Sequence, residues 1–347
     1  MKKKRVLVAM SGGVDSSAAA LLLQRQGYDC GGAMLQLLPG KNNTADAEAV
    51  SARLGIPFFA LDRRTLFAEK VMEPFCREYE AGRTPNPCLF CNRNLNFGDL
   101  LDWALAQGYD YLATVHYARV VQNEQTGQWM LLRGTDRSRD QSYVLYQLSQ
   151  HQLAHLLLPV GLYEKRDIRR AAREAGLSSA DRADSQDICF IPDGDYAAFL
   201  RSWGGVKMEE GDFVDRTGRV LGRHKGLPCY TIGQRKGLGI SAGRHLYVIR
   251  KNFENNTILL GDNADLYRRE LTARDVNWIS GEEPAAPIRC TAKTRYSQTE
   301  AAALAEVLTG GRIRIAFDEP QRAVTAGQAV VLYRGDEVLG GGTIEKC

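Results

Sequence analysis

No apolar stretch in these 347 residues approaches the roughly 18 consecutive residues of a membrane span, so no membrane-crossing helix is expected. No leader is expected either. Met1-Lys-Lys-Lys-Arg5 runs into a short β-prone segment, not a signal-peptide core, and the expectation is a cytoplasmic protein without membrane partners. Net charge is nearly lacking: 45 Lys and Arg stand against 41 Asp and Glu, a balance of +4, so a nucleic-acid surface must come from local clustering. Eight cysteines in a chain of this size without a leader speak against a disulfide scaffold and for buried thiols, catalysis or metal.

The organising stretch is Val6-Leu-Val-Ala-Met-Ser11-Gly-Gly-Val-Asp-Ser-Ser17, followed by the apolar run Ala18–Leu23. It reads as strand, Gly-Gly loop and helix. Such a junction aims backbone N–H groups and a helix N-terminus at one point, where Ser11, Ser16 and Ser17 add hydroxyls: a phosphate cradle. It lacks the Gly-Lys-Ser/Thr ending of a Walker loop and the Gly-x-Gly-x-x-Gly of a dinucleotide site. Ser-Gly-Gly-x-Asp-Ser instead resembles the PP-loop of ATP pyrophosphatases. That resemblance implies ATP with Mg²⁺, bound by Ala9, Met10, Ser11, Gly12, Gly13, Val14, Asp15 and Ser16, and transfer of AMP to a substrate oxygen.

Further strands are expected at Asp29–Met34, Pro57–Leu61 and Leu112–His116, each preceded by a helix, the clearest being Ala45–Leu54 between Thr44 and Gly55. Alternating strands and helices predict an α/β doubly wound parallel sheet with its site at the carboxyl ends of the strands. Leu35 and Val115 would then border the nucleotide, and His116 would end the fourth strand. The helix Glu164–Gly176 reads as a surface helix with a wet charged face.

Ala81-Gly-Arg-Thr-Pro-Asn-Pro-Cys-Leu-Phe-Cys91-Asn-Arg93 is too rich in Pro, Asn and Gly to predict regular structure, and holds Asn86, Pro87, Cys88 and Cys91 with little freedom. A Cys-x-x-Cys pair suggests a low-pKa thiolate, a redox couple or half a metal site, and no second such pair exists. Cys189, in Ala183-Asp-Ser-Gln-Asp-Ile-Cys-Phe-Ile-Pro192, sits in a β-like run and matters if the fold brings it to Cys91. Cys30, Cys76, Cys229, Cys290 and Cys347 read as solitary packing thiols.

From Arg216 to Lys251 there are nine Lys or Arg and no Asp or Glu. Arg216, Arg219, Arg223, Lys225, Arg235, Lys236, Arg244, Arg250 and Lys251 alternate with His224, Tyr230, His245 and Tyr247, a pattern suited to a phosphate backbone and exposed bases. Beyond Leu271, alternating runs such as Ile313–Phe317 and Ala329–Tyr333 between turns predict a small β-barrel. The expected division is a catalytic domain at 1–200, a small basic domain at 201–268 and the barrel at 269–347.

Ser11–Ser17, Gly82-Arg-Thr-Pro-Asn-Pro87 with Cys91-Asn92, His116-Tyr-Ala-Arg119, Asp140-Gln-Ser-Tyr143, Ile188-Cys-Phe-Ile191 and Tyr230-Thr-Ile-Gly-Gln-Arg-Lys-Gly-Leu-Gly239 occur in the order found in tRNA-specific 2-thiouridylases. The chain resembles that family over essentially its whole length. The resemblance implies adenylation of a wobble-uridine oxygen and its replacement by sulfur, with Cys189 accepting a persulfide from a cysteine desulfurase or sulfur-relay protein and Cys91 as nucleophile. It implies target-base contact by Asn86, Pro87 and Cys88, and tRNA contact by His116, Arg139, Asp140, Gln141, Arg295, Tyr296 and Gln328. Many members carry an acid where this chain has Cys88, so a [4Fe–4S] cluster on Cys88, Cys91 and Cys189 stands as an alternative way to deliver sulfide. A small-molecule PP-loop synthetase and a non-catalytic tRNA-binding protein are the remaining readings.

Overall fold

A computed structural model describes residues 3–40, 44–177, 188–241 and 243–346. Ala183–Asp187 ahead of Cys189, Ala242 in the basic stretch, and Cys347 lie outside the described residues.

The amino-terminal part is built on β1 (Arg5–Ala9), whose Val6, Leu7 and Val8 are completely buried. Alternation sends Leu7 into one core, with Leu100 and Leu112, and Val6 and Val8 into a second, with Ala18, Leu23 and Ile168. A strand buried on both faces is what a parallel sheet between helical layers requires. β2 (Asp29–Gln36), β3 (Phe58–Asp62), β4 (Tyr111–Ala113) and β7 (Leu156–Leu157) join it in the parallel order β3-β2-β1-β4-β7. The helices α1 (Val14–Arg25) and α2 (Ala45–Leu54) follow their strands as expected, and Gly55 ends α2 in the left-handed conformation.

Three local expectations are corrected, and one hairpin was not foreseen. The fourth strand ends at Ala113, so His116 lies beyond it in the turn to β5 (Ala118–Gln122). β5 and β6 (Trp129–Arg133) form a hairpin that pairs with the carboxyl-terminal barrel instead of the parallel sheet. The Cys-x-x-Cys segment is helical from Pro87 to Cys91 and continues as a widened, π-type helix through Leu100. Asn86 caps it, its side-chain oxygen accepting from the Cys88 N–H at 3.1 Å, and Pro87 takes the first helical position, where its missing N–H costs nothing. Ile188–Ile191 is a turn, closed by the Ile191 N–H donating to the Ile188 carbonyl at 2.8 Å; Phe190 and Ile191 are apolar because they anchor in a core with Phe67, Phe75 and Leu200.

β8 (Gly211–Val214), β9 (Val220–His224), β10 (Tyr247–Asn252) and β11 (Thr257–Gly261) make a second sheet around Phe213, Val248 and Ile258. β12 (Tyr267–Trp278), β13 (Ile288–Lys293), β14 (Ala301–Leu308), β15 (Arg312–Arg322), β16 (Ala329–Arg334) and β17 (Glu337–Lys346) close into the expected barrel, because β12 pairs with both β15 and β17.

These parts meet on the loop ahead of the cysteines. Gly82, at φ 76°, lies against the ring of Phe253 from the β10–β11 turn. The Thr84 N–H donates to the Ala326 carbonyl at 2.9 Å, and Gln328 Nε2 donates to the Thr84 carbonyl at 2.6 Å. Gly327 has φ 89°, and a Cβ there would stand 2.8 Å from both Arg83 Cβ and Thr84 N. Gly327→Ala should therefore destabilise the protein by about 1–3 kcal/mol through strain and loss of this docking, read as a lower denaturation midpoint. An unchanged midpoint would show that the barrel does not lean on the loop.

Candidate functional site

The PP-loop leaves β1 at its carboxyl end. Gly12, at φ 74°, approaches α2 so closely that a Cβ would lie 2.7 Å from Asp46 Cβ. Gly13 occupies the N-cap of α1 with no side-chain cap bond, so the first N–H groups of the helix point out of the loop without a side-chain acceptor. The hydroxyls organise the turn: Ser16 and Ser17 donate to the Gly13 carbonyl at 3.1 and 2.9 Å, and the Ser11 N–H donates to Ser16 Oγ at 3.3 Å. Met10 is locked by its N–H to the Ala33 carbonyl at 2.7 Å and by the Ser51 hydroxyl on its sulfur. Leu35 is the penultimate residue of β2, and Val115 follows β4 and packs against the α1 core. The sequence-predicted nucleotide set is thus gathered at the carboxyl ends of three neighbouring strands.

Asp15, in the first turn of α1, accepts from Tyr117 Oη at 2.9 Å and from Lys165 Nζ at 2.7 Å. Lys165 is 9 % exposed, and burial of an ammonium is tolerable because it is paired. This corrects the wet-face reading of the helix Lys165–Glu174 at Lys165 alone, since Arg166, Arg170, Arg173 and Glu174 are exposed. Sequence reasoning missed Lys165 and Tyr117. The signal available was the unbalanced acid in a phosphate loop, which calls for a cation from elsewhere.

Cys88 is exposed, Cys91 half-buried and Cys189 exposed on its turn. Cys91, Phe90 and Ile188 pack against the core that holds Phe190, and Leu35 from the nucleotide end packs there too. Burial pushes the Cys91 thiol up to about 12, with the neighbouring Cys189 and Cys88 adding to the shift. Cys88 is raised by desolvation and by Cys189. The fold therefore brings all three sulfurs into one electrostatic neighbourhood. Among the described residues no group of three His, Cys, Asp or Glu side chains is placed to hold a metal ion, so the arrangement does not fit the cluster alternative as a ligand set.

His116 packs its ring 5.7 Å from Phe97, on the helical rod that begins at Pro87, and its Nδ1 shares a hydrogen bond with Thr114 Oγ1 at 2.9 Å. Burial lowers its pKa to about 4, which leaves a neutral ring at physiological pH. Tyr296 is 41 % exposed, edge-on to Tyr143, and in electrostatic contact with Cys88, Asp140 and Arg139. The other expected RNA contacts are engaged within the protein. Asp140 is buried, accepting from the Gly134 and Ser142 N–H groups and the Ser142 hydroxyl at 2.9–3.2 Å. Gln141 accepts from the Tyr117 N–H at 3.0 Å. Arg295 donates to the Ile232 and Ala323 carbonyls and to Thr325 Oγ1, joining the second sheet to the barrel.

The basic stretch is less bare than its sequence. Arg223 and Arg244 pair with Asp212 and Asp262 at 3.0 and 2.9 Å, and Arg216 pairs with Asp265. Lys251 donates to the Tyr230 carbonyl at 3.1 Å, and burial lowers its pKa to about 8. His224 and Tyr230 are core residues, packed on Phe213. Exposed cations remain at Arg219, Lys225, Arg235, Lys236 and Arg250, beside exposed His245. No helix among the described residues is long and apolar enough to cross a membrane.

Three family models match the chain: a tRNA methyl transferase HUP domain over residues 4–193, a tRNA methyl transferase PRC-barrel domain over 197–262 and an aminomethyltransferase β-barrel domain over 268–344. The chain is 47% identical over 358 residues to tRNA-specific 2-thiouridylase MnmA of Carboxydothermus hydrogenoformans, covering 99% of this chain and 98% of that protein. It is 49% identical over 352 residues to the protein of the same name from Moorella thermoacetica, covering 98% of this chain and 99% of that one. The counterpart in Clostridioides difficile is 47% identical over 355 residues, with coverages of 99% and 98%.

The depressed His116 pKa carries a stability signature. Between pH 6.5 and about 4 the unfolded chain binds a proton that the folded chain refuses, so the contribution is complete above 6.5 and lost as pH falls through that window. His116→Gln should flatten the loss of stability between these pH values in denaturant titrations. An unaltered pH profile would mean that His116 is protonated in the folded protein.

Proposed function

The chain belongs to the tRNA-specific 2-thiouridylase family, and from that membership we propose that it catalyses ATP-dependent 2-thiolation of the wobble uridine of tRNA. The observation that carries the mechanism is the convergence of an uncapped PP-loop helix, at the carboxyl edge of the sheet, with three cysteines drawn from positions about a hundred residues apart.

ATP binds as its Mg²⁺ complex, phosphates toward Ser11–Ser16 and the N-terminus of α1, where N–H groups and the helix dipole favour negative charge. Lys165 turns from Asp15 toward the departing pyrophosphate, and Asp15 keeps its bond from Tyr117. Uridine O2 attacks the α-phosphorus; pyrophosphate leaves, and O2 becomes part of a good leaving group. The base reaches this point flipped out of an unstacked anticodon loop, between Asn86-Pro87-Cys88 and the exposed ring of Tyr296.

Cys189 carries a persulfide loaded by a sulfur donor, for which its exposed turn gives access. The Cys91 thiolate attacks the Cys189 Sγ, forming a Cys91–Cys189 disulfide and expelling hydrosulfide. That hydrosulfide attacks C2, and AMP departs with the former O2. The neutral His116 offers hydrogen bonding without a fixed charge, and Arg139 with the exposed cations Arg219, Lys225, Arg235, Lys236 and Arg250 supplies salt-sensitive affinity for the tRNA backbone. Asp140, Gln141, Arg295 and Gln328 act by holding the loops that present these groups. In this division residues 1–200 perform the chemistry, while 201–268 and 269–347 position the RNA.

Wild-type protein should release pyrophosphate from ATP only when tRNA is present. A small-molecule synthetase would not need tRNA, and a non-catalytic binder would release none. Lys165→Met should lower kcat/KM for that release about 10- to 100-fold, corresponding to the ~1.5–3 kcal/mol of a charge-assisted hydrogen bond. Cys91→Ser should keep tRNA affinity within a few-fold and keep pyrophosphate release while abolishing thiolation. Thiolation retained by that variant would remove Cys91 from the mechanism.

A further inference from the structure

The relay accounts for two sulfurs, yet the fold supplies three. Cys88 and Cys91 lie three residues apart on one helix, hence on one face, and the ~5 Å Cα separation that helix geometry gives such neighbours falls inside the Cα range of about 4.4–6.8 Å that a disulfide accepts. The Asn86 cap and Pro87 at the first helical position fix that spacing. The core shared by Cys91, Ile188 and Phe190 brings the Cys189 turn against the same helix. Exposure divides the roles: Cys91 is half-buried, whereas Cys88 faces solvent. A Cys91–Cys189 disulfide would be shielded on its Cys91 side from any bulky external reductant, while Cys88 has access both to solvent and to Cys91. A metal does not explain the third thiol, since the described residues form no group of three ligands.

We propose that Cys88 is a resolving thiol that clears the disulfide left by each sulfur transfer. The inference rests on the relay reading above. The Cys88 thiol loses its proton to solvent, and its sulfur attacks the Cys91 Sγ. The Cys91–Cys189 S–S bond breaks, a Cys88–Cys91 S–S bond forms, and Cys189 leaves as a thiolate that can accept the next persulfide. This exchange has no net redox change. The exposed Cys88–Cys91 disulfide is then reduced by an external dithiol, which supplies two electrons and two protons and becomes a disulfide itself.

The test is a single turnover with reduced wild-type enzyme loaded with persulfide from inorganic polysulfide, given ATP and unmodified tRNA without added dithiol. Samples are quenched in N-ethylmaleimide at successive times and mapped by non-reducing peptide mass spectrometry. A Cys91–Cys189 cross-link that forms first and is replaced by Cys88–Cys91, with Cys189 alkylated, is the expected result. In Cys88→Ser the Cys91–Cys189 cross-link should persist throughout that interval. If this variant does not turn over, oxidation of the reduced variant with diamide sets the same cross-link, which should then survive where the wild type rearranges. Wild-type enzyme that makes 2-thiouridine and keeps Cys91–Cys189, with Cys88 alkylated, overturns the resolving role and leaves the relay intact. Product formed with no disulfide among the three cysteines overturns the relay and the resolving role together.

Discussion

Two hydrogen bonds on the backbone of one residue link the chemistry to the rest of the molecule: Thr84 donates its N–H to Ala326 and accepts at its carbonyl from Gln328. Each contributes about 1 kcal/mol, a small quantity by itself, but what they hold is the approach to Asn86. Asn86 caps the helix that carries Cys88 and Cys91, so a loop displaced from the barrel would lose its cap and the orientation of both thiols. Gly82 under Phe253 and Gly327 over Arg83 can be filled by no larger residue without moving this loop. In the proposed mechanism the barrel would influence the reaction through this loop without contributing a reacting atom.

The nucleotide loop poses the opposite problem, a carboxylate where phosphate must arrive. Asp15 in the first turn of α1 is favoured by the helix dipole, yet it would repel an anion docked on the same N–H groups. Lys165 and Tyr117 resolve the conflict by occupying both of its oxygens, and the packing of the Lys165–Glu174 helix on α1 keeps the ammonium out of water. The pair sets a buried cation beside a carboxylate in the first turn of α1, and in the proposed mechanism that cation would turn to the departing pyrophosphate. A Walker lysine achieves this from within its own loop, whereas here the cation comes from a helix 150 residues along the chain.

That distance marks what could be read from sequence. β1, α1, α2 and the barrel were legible because their signals are local: a two-residue alternation, a Gly-Gly turn, a Thr44-to-Gly55 frame. The Cys-x-x-Cys helix was misread although its start signals, Asn86 and Pro87, were present; the Pro and Gly content of the preceding loop outweighed them. Ile188–Ile191 looked like a strand because burial of Phe190 and Ile191 in a side-chain core and burial in a sheet leave the same apolar pattern. The β5–β6 hairpin pairs with β17 across two hundred residues, and the acids that quiet Arg216, Arg223 and Arg244 lie outside the run that seemed acid-free. Lys165 could be recognised only by asking what balances Asp15.

Burial disfavours the thiolate form of Cys91. Burial, with Cys189 and Cys88 adding to it, pushes the Cys91 thiol up to about 12, and the neutral His116 carries no charge to oppose that shift. A permanently ionised Cys91 beside a loaded Cys189 would expel hydrosulfide with no activated uridine to receive it. A thiol that must first lose its proton ties sulfur release to the arrival of something that accepts the proton or supplies positive potential. In the mechanism proposed above, the adenylated uridine, the departing pyrophosphate and the RNA over the cationic stretch would change the electrostatics around this thiol. Under that mechanism, the desolvation that disfavours the thiolate is what substrate assembly would offset before sulfur moves.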